Sequence, residues 1–350
     1  MTRKTVAMQL PRIADVASLE EKYSLELEAL APIADIVEVE SRTAEAFAEG
    51  AATADAVITS WGIRFDEAVI SKLEQCVVIG LGSVGVDMVD VDAATRAGIV
   101  VTNCPDVFIE EVADHAMMLI LATARRAKQM DLFATRGEWR QGRPLLNHVP
   151  RLMGQTLGLV SFGNVARCTA RRAKAFGMHV IAYDPYVSEL TISDYGVEPV
   201  SFGEMLERSD YVSVHSPHNA ETEHLLNAAA FARMKDGVAV VNTARGPIID
   251  EPDLIAALES GKVAAAGLDV LEQEPPEPDN PLLTMDNVIV TPHVASATTR
   301  MRPTARRRVG QEVALVLRGK WPMSCVNPTV LPKTPLERWQ PVPMTRGPNR

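Results

Sequence analysis

Short apolar segments alternate with helical segments along most of this chain, and this alternation restricts the fold more than any other feature. Apolar strands that are joined by helices pair in parallel. The first series predicts strands at 5–10, 36–40, 56–60, 76–79 and 99–103, and helices at 19–30, 44–53 and 66–73. The second series predicts strands at 156–161, 179–183, 211–215, 238–242, 264–270 and 288–291. The sequence therefore predicts an α/β protein with two parallel sheets.

The chain is long enough for two domains, because 47% of its 350 residues are hydrophobic and can form two cores. A helix predicted at 298–317 returns to the first series, so the first domain is expected to be discontinuous. We assign residues 1–103 and 295–330 to one domain and residues 104–294 to the other. Residues 331–350 are rich in proline and are predicted to form an extended or mobile tail.

Charge and cysteine usage exclude several classes of function. The formal net charge of -10 argues against non-specific nucleic-acid binding, which depends on neutralising phosphates. The scattered cysteines form no Cys-x-x-Cys motif and predict reduced thiols in a cytoplasmic protein, without a metal site. The first residues lack the apolar core of a signal peptide, and no apolar run approaches the roughly twenty residues that span a bilayer. We therefore expect no nucleic-acid partner, no metal and no membrane contact.

Two further segments lie between the two series of strands and helices. A helix is predicted at 110–126, with acids in its first turn and arginines in its last. Its middle, 116–122, is apolar all round, so we expect burial on every side, between two domains or two subunits. His115 on this helix is interpreted as structural. The polar, basic segment 136–153 is interpreted as an irregular arm that packs on a partner subunit.

Three strands of the second series each end in an ionisable residue: Arg245, a carboxylate of the acidic run at 269–274, and His293. In a doubly wound sheet, ligands bind at the carboxyl ends of the strands. A guanidinium can grip a carboxylate and polarise a carbonyl together, and a histidine can exchange a proton near neutral pH. The three residues therefore predict a site for a small anionic substrate. The alternative is a salt-bridge network between strand ends.

Glycine-rich turns follow one strand of each series. The turn at 80–87 is either a tight connection or a nest of backbone N–H groups that can hold a carboxylate. The turn at 161–166 resembles the dinucleotide pattern G-x-G-x-x-G, with Ser161 at the first glycine and Ala166 at the third. Gly163 remains where the backbone must approach a pyrophosphate. Asp184, at the end of the next strand, can bind a ribose 2′-hydroxyl and would repel a 2′-phosphate, which favours NAD over NADP. A plain βαβ turn with an Asp cap is the alternative.

Together these motifs resemble the D-isomer-specific 2-hydroxyacid dehydrogenases, the family of D-lactate, phosphoglycerate and glyoxylate/hydroxypyruvate enzymes. The likeness covers about residues 5–330 and is carried by segments 85–87, 110–115, 161–166, 183–185, 242–246, 268–275 and 291–293. It implies two Rossmann-like domains around an interdomain cleft, with a flavodoxin-like substrate domain, in a homodimer formed through the cofactor domain.

The resemblance also implies a reaction, in which NAD interconverts a 2-keto acid and a D-2-hydroxy acid. Arg245 would bind the substrate carboxylate and carbonyl, and Glu274 would pair with His293, the acid/base. Backbone N–H groups of Val84 and Gly85 would hold the carboxylate. The implied cofactor contacts are Gly163, Asn164 and Val165 at the pyrophosphate, Asp184 at the adenosine ribose, Asp269 at the nicotinamide amide, and His215, Pro217, Thr222, Thr243 and Ala244.

Some residues depart from the family pattern. Asn164 stands where an arginine is common, and Ser161 replaces a glycine, so both bear on cofactor affinity. This weakened turn and the proline-rich tail favour an alternative, a non-enzymatic NADH-sensing scaffold like the corepressor branch of the fold. The chain lacks the tryptophan that follows the histidine in that branch. The loop at 80–85 is uncharged, which favours a small or apolar 2-keto acid over a phosphorylated one.

Overall fold

The computed structural model describes residues 3–9, 18–41, 43–59 and 63–339. The chain divides into two compact units: the first comprises Met1–Val107 and Thr298–Arg350, and the second Phe108–Ala297. The boundaries predicted from the sequence lie three or four residues earlier along the chain. The predicted strand ends at Leu10 and Ser60, and the tail from residue 340 onwards, lie outside the described residues.

A parallel sheet forms the centre of the first unit. Its strands are β1 (Lys4–Gln9), β2 (Ala34–Val39), β3 (Ala56–Thr59), β4 (Val78–Leu81) and β5 (Val100–Thr102). The helices between them are α1 (Leu19–Lys22), α2 (Ser24–Leu30), α3 (Ala44–Gly50), α4 (Glu67–Ser71) and α5 (Val91–Arg96). The strand order β2-β1-β3-β4-β5 is that of flavodoxin-like folds. The predicted fold class is confirmed for this unit.

The helix predicted at 19–30 is two helices. Tyr23 interrupts them with a non-helical backbone (φ -109°, ψ 23°). Its ring is buried, and its hydroxyl donates to the carboxylate of Glu38 at 2.7 Å. The single-helix prediction was wrong because a tertiary contact with β2 outweighs the helical pattern of the segment.

The second unit is built on a longer parallel sheet. Its strands are β6 (Thr156–Val160), β7 (His179–Tyr183), β8 (Glu198–Pro199), β9 (Tyr211–Val214), β10 (Val238–Asn242), β11 (Val263–Leu268) and β12 (Val288–Val290). Its helices are α6 (Ile109–Ala124), α7 (Ala127–Thr135), α8 (Gly142–Leu146), α9 (Asn164–Ala175), α10 (Glu189–Asp194), α11 (Phe202–Arg208), α12 (Ala228–Arg233) and α13 (Glu251–Glu259). The order β12-β11-β10-β9-β6-β7-β8 contains the doubly wound arrangement, which confirms the Rossmann-like prediction.

The core of the second unit lies on both faces of this sheet. Every residue of β10 is buried, as expected for a parallel strand covered by helices on both sides. Val240 packs into one apolar cluster and Val241 into the other, because successive strand side chains point to opposite faces. The strand is therefore held rigidly, and its carboxyl end is fixed in position.

Helix α14 (Met301–Leu317) belongs to the first unit and packs beside β4. The close approach requires Gly80, since a Cβ there would lie 2.6 Å from Val313 and 2.8 Å from Val309. Beyond α14 the chain runs along the first unit as far as residue 339. Lys333 donates its backbone N–H to Gly98, and Lys320 pairs with Glu337.

Two expectations about the start of the second unit need correction. Within one chain, α6 is not buried on every side, because Met118 is 41% exposed while its neighbours Met117 and Leu119 pack inwards. The segment at 136–153 is not irregular throughout: Trp139–Gln141 forms a 3-10 turn that continues into α8. Its packing on a partner subunit stays a prediction.

Candidate active site at the strand ends of the second unit

Arg245, Glu274 and His293 leave the same edge of the sheet. They follow β10, β11 and β12, which are neighbours and parallel. Backbone hydrogen bonds continue beyond the strands: Asp269 N–H donates to Asn242 at 2.9 Å, and His293 N–H donates to Asp269 at 2.8 Å. The three segments are therefore held together past the ends of the strands.

The Glu274 and His293 side chains are in direct contact. Glu274 Oε2 lies 2.6 Å from His293 Nδ1, and the other oxygen, Oε1, accepts the N–H of Leu271 at 3.1 Å. The carboxylate is thus fixed on both sides, and it orients the imidazole. His293 has φ 52°, in the left-handed region that costs energy for a residue with a side chain. Strain of this kind concentrates at functional sites, where surrounding contacts maintain it.

Asp269 provides those contacts. Its carboxylate is 1% exposed and accepts hydrogen bonds from the Thr291 hydroxyl at 2.5 Å and from the N–H groups of Val294 at 3.0 Å and Ala295 at 2.8 Å. His115 Nε2 on α6 lies 2.9 Å from the Thr291 hydroxyl oxygen. Asp269 therefore holds the turn that carries His293. Its predicted contact with a nicotinamide amide stays a prediction.

Arg245 lies in a turn that Asn242 shapes. The Asn242 side chain accepts the N–H of Ala244 at 2.9 Å and donates to the carbonyl of Arg245 at 2.8 Å. Gly246 follows, and a Cβ there would lie 1.8 Å from the carbonyl oxygen of Leu271. The N–H of Leu271 also donates to the Glu274 carboxylate. The close packing of Gly246 against Leu271 therefore sets the positions of both the turn that carries Arg245 and the Glu274 carboxylate.

The turn between β6 and α9 has the geometry of a dinucleotide site. Gly163 is the residue before α9, and the space where its Cβ would stand is open to 4 Å. The first N–H groups of α9, which include those of Asn164 and Val165, have no partner within the helix and suit an anion. Asp184 accepts N–H bonds from Phe162 at 2.8 Å, Tyr186 at 2.8 Å and Val187 at 3.1 Å. A carboxylate has about four acceptor positions, so one remains for a ribose hydroxyl.

The other residues predicted to contact the cofactor follow β9 and β10. Burial lowers the pKa of His215 to about 4, so its imidazole is neutral at pH 7. Pro217 accepts a hydrogen bond from the Thr222 hydroxyl at 2.7 Å, which closes the loop after β9. The hydroxyl oxygens of Thr243 and Ser216 are buried and have no hydrogen-bond partner among the described residues. Buried hydroxyls without partners at the ligand edge of a doubly wound sheet fit a polar ligand such as NAD.

The remaining predicted residues, Val84 and Gly85, lie in the first unit after β4. Sequence reasoning missed the supporting roles of Asn242, Gly246 and Thr291. A signal was present for Asn242, because an Asn at a strand end commonly forms a turn through its own side chain. No comparable signal was present for Gly246, whose requirement comes from a contact with Leu271 in the segment after β11.

We expect Ser161→Gly to stabilise the protein. Ser161 has φ 75°, so the phosphate turn keeps the shape that a glycine would give it, at the cost of left-handed strain. Relieving that strain should raise the free energy of unfolding by about 0.5–1 kcal/mol, measured by urea unfolding, without weakening NADH binding. Ser260→Gly is the matched control. Ser260 has φ -75°, so the same change there should lower the free energy of unfolding of the protein. A loss of stability in Ser161→Gly would contradict this account of the turn.

Two other kinds of site are absent from the part of the chain that the structure describes. None of its helices combines the length and apolar character needed to cross a membrane. It also contains no group of three or more His, Cys, Asp or Glu side chains arranged to hold a metal ion.

Comparison with known proteins supports a family assignment. The model of the D-isomer specific 2-hydroxyacid dehydrogenase, NAD binding domain, matches residues 117–295. A D-3-phosphoglycerate dehydrogenase of Methanocaldococcus jannaschii is 40% identical over 300 residues, which are 85% of this chain and 56% of that protein. A glyoxylate reductase of Korarchaeum cryptofilum is 38% identical over 80% of this chain and 85% of its own length.

Solved structures agree with this assignment. The crystal structure of a glyoxylate reductase from Paecilomyes thermophila has a TM-score of 0.82 and 31% identity, and the match covers 93% of this chain and 99% of that one. The chain spans about half the length of the phosphoglycerate dehydrogenases that it matches. The predicted family and cofactor are confirmed: this chain belongs to the D-isomer specific 2-hydroxyacid dehydrogenase family and carries its NAD-binding domain.

Proposed function

We propose that this protein uses NAD to interconvert a 2-keto acid and a D-2-hydroxy acid. The observation that carries the proposal is the 2.6 Å contact between Glu274 and His293, at strand ends that also present Arg245. A guanidinium, an imidazole and a supporting carboxylate meet the needs of carbonyl reduction beside a carboxylate. A salt-bridge network would not require the left-handed backbone of His293.

In the proposed mechanism each side chain has one task. Arg245 binds the substrate carboxylate and polarises the carbonyl through its planar, permanently charged fork. With Nδ1 held by Glu274, His293 gives a proton from Nε2 to the carbonyl oxygen, and takes it back in the reverse direction. Glu274 fixes the tautomer and stabilises the imidazolium. NAD, when bound, supplies or accepts the hydride.

The proposed substrate is a small or apolar 2-keto acid. The proposal is supported by the loop at 82–85, which contains no charged residue to grip a phosphate. A D-3-phosphoglycerate dehydrogenase and a glyoxylate reductase both match the chain, so a comparison of substrates tests the proposal. Purified protein should oxidise NADH with glyoxylate, pyruvate or hydroxypyruvate, and should do so less efficiently with 3-phosphohydroxypyruvate. A clear preference for the phosphorylated acid would reject this substrate class.

The same assay distinguishes the enzyme from the alternative, a non-enzymatic NADH-sensing scaffold. Tight NADH binding without turnover on any of these acids would favour the scaffold. We also propose the homodimer and the cytoplasmic location that the sequence predicts. Trp139, which is 79% exposed on the segment before α8, supports a subunit contact there. Sedimentation of the wild-type protein and of Trp139→Ala would test whether the protein is a dimer and whether Trp139 lies at the subunit contact.

Glu274→Gln should lower kcat by about 10–10³-fold, because an amide cannot stabilise the imidazolium and can present the wrong tautomer to Nδ1. NADH affinity should change less than about twofold, since the cofactor's phosphates bind elsewhere on the sheet edge. Stopped-flow hydride transfer and NADH fluorescence titration would measure the two effects. Glu277→Gln, on the same loop and bonded to Gln273, is the matched control and should behave as the wild type. An unchanged kcat in Glu274→Gln would show that the pair has no role in turnover.

A further inference from the structure

Two consecutive residues that follow β5, Asn103 and Cys104, donate hydrogen bonds to the loop after β4. Asn103 Nδ2 donates to the carbonyl of Val84 at 2.7 Å, and the backbone N–H of Cys104 donates to the carbonyl of Ser83 at 2.9 Å. The Ser83 hydroxyl donates to the carbonyl of Gly85 at 2.7 Å. Three successive carbonyls of the loop are therefore anchored.

Anchoring the carbonyls also directs the N–H groups. In a trans peptide the C=O and the following N–H lie in one plane and point in opposite directions. The bond from Cys104 to Ser83 thus turns the N–H of Val84 away from residues 103–104, and the bond from Asn103 to Val84 does the same for the N–H of Gly85. Neither N–H has an acceptor among residues 3–9, 18–41, 43–59 and 63–339. These are the two donors proposed to hold the substrate carboxylate.

Asn103 is itself held by the chain after α14. Its side-chain oxygen accepts the hydroxyl of Ser324, which fixes the amide so that its NH₂ group faces Val84. The backbone N–H groups of Met323 and Ser324 both donate to Glu312 Oε2, at 2.8 and 3.2 Å. The segment that carries Ser324 is therefore fixed by one carboxylate on α14.

Glu312 is a costly residue to place there, because its side chain is fully buried. Its charge is balanced by Arg308, one helical turn earlier, whose Nε lies 2.9 Å from Glu312 Oε1. The two atoms form an ion pair without a well-aligned hydrogen bond. A buried carboxylate whose other oxygen receives two backbone donors is a rigid anchor, since removing it would leave those donors unpaired.

We infer that Asn103, Ser324 and Glu312 are positioning residues for the substrate carboxylate, because they orient the peptide N–H groups of Val84 and Gly85. The inference rests on the proposed function. It assigns to residues 103, 312 and 324 a role in substrate affinity that is separate from hydride transfer.

The test compares substrate affinity with turnover in single variants of the full chain. Ser324→Ala removes the hydrogen bond from Ser324 to Asn103, and Asn103→Asp removes the hydrogen bond from Asn103 to Val84. Both changes should keep the fold, because Asp has the shape of Asn but no NH₂ donor. Each should raise KM for the best 2-keto acid by about 5- to 30-fold, the loss expected for one hydrogen bond of 1–2 kcal/mol. In both, kcat should stay within about threefold, the pattern of lost uniform binding. The Kd of oxamate for the NADH complex should rise in parallel.

Three comparisons separate positioning from general stability. Ser324→Thr keeps the hydroxyl and should restore KM to within about twofold of the wild type. Ser71→Ala removes a hydroxyl that donates to the Ala68 carbonyl in its own helix, and it should leave KM, kcat and the Kd of oxamate unchanged. Glu312→Gln should raise KM as well, and if it does not fold the Ser324 series still decides. NADH affinity should be unchanged throughout.

The possible results have distinct meanings. KM and oxamate affinity within twofold of the wild type in both Ser324→Ala and Asn103→Asp would overturn the inference. A parallel fall in kcat, NADH affinity and thermal stability would also overturn it, because that pattern marks a structural role. A wild-type protein that neither turns over any 2-keto acid nor binds oxamate would reject the proposed function, and this inference with it.

Discussion

Replacing His293 with glutamine should lower kcat for 2-keto acid reduction by about 10²–10⁴-fold, the usual contribution of a positioned acid/base. Glutamine can fill much of the same space and can still donate to Glu274, which lies 2.6 Å from His293 Nδ1. It has no group that titrates near neutral pH, so the carbonyl oxygen must take its proton from water. The NADH Kd should stay within about twofold, since the phosphate turn is untouched. Single-turnover hydride transfer would measure the chemical step directly.

His179→Gln is the matched control for this variant. His179 is exposed and opens β7, at the amino end of a parallel strand and therefore at the opposite edge of the sheet. Its substitution should leave kcat and NADH affinity unchanged. A His293→Gln enzyme with wild-type turnover would reject both the catalytic assignment and the enzyme mechanism built on it.

Gly246→Ala should cost about 3 kcal/mol or more of stability and remove most activity, since overpacking against backbone cannot be relieved by rotating a side chain. The added Cβ would lie 1.8 Å from the Leu271 carbonyl oxygen, 2.0 Å from its carbon and 2.5 Å from the nitrogen of Glu272. Either the arginine turn or the segment after β11 must move. Because Leu271 donates to Glu274, such a shift displaces the carboxylate from His293. Urea unfolding and kcat would report the two losses.

The control for this substitution is Gly142→Ala. There the new Cβ meets the Met130 sulfur, a flexible side-chain atom, at 3.3 Å, at the start of α8. Alanine is a better helix former than glycine, so stability should be equal or slightly higher. If Gly246→Ala were as stable and as active as Gly142→Ala, the close packing of residues 246 and 271 would be disproved.

Much of the fold could be read from local pattern. Strands β7 and β10 have the predicted bounds, since their apolar runs start and stop with the strand. Elsewhere strand ends shift by one or two residues, because an apolar run often continues into the adjoining loop. Strand β8 was missed, since two residues, Glu198 and Pro199, contain no apolar run.

The residues at the strand ends were also visible in the sequence, because a buried apolar run followed by one ionisable side chain marks the place where a strand leaves the core. Arg245 and His293 were selected in this way, whereas Glu274 was singled out of the acidic run after β11 by the family resemblance; the contact between Glu274 and His293 is present. Their catalytic roles stay predictions until the variants are measured.

The amino-acid order alone specified two parallel sheets, the dinucleotide turn and the chemistry available at the strand ends, because each depends on spacing within a few residues. The folded chain decided which groups support them: Gly246 against Leu271, Asp269 beneath the His293 turn, and Ser324 on Asn103, 221 positions apart. Such pairs have no period and no shared local motif. They arise only when packed helices and strands bring distant backbone together, where polar groups must find partners as water is excluded.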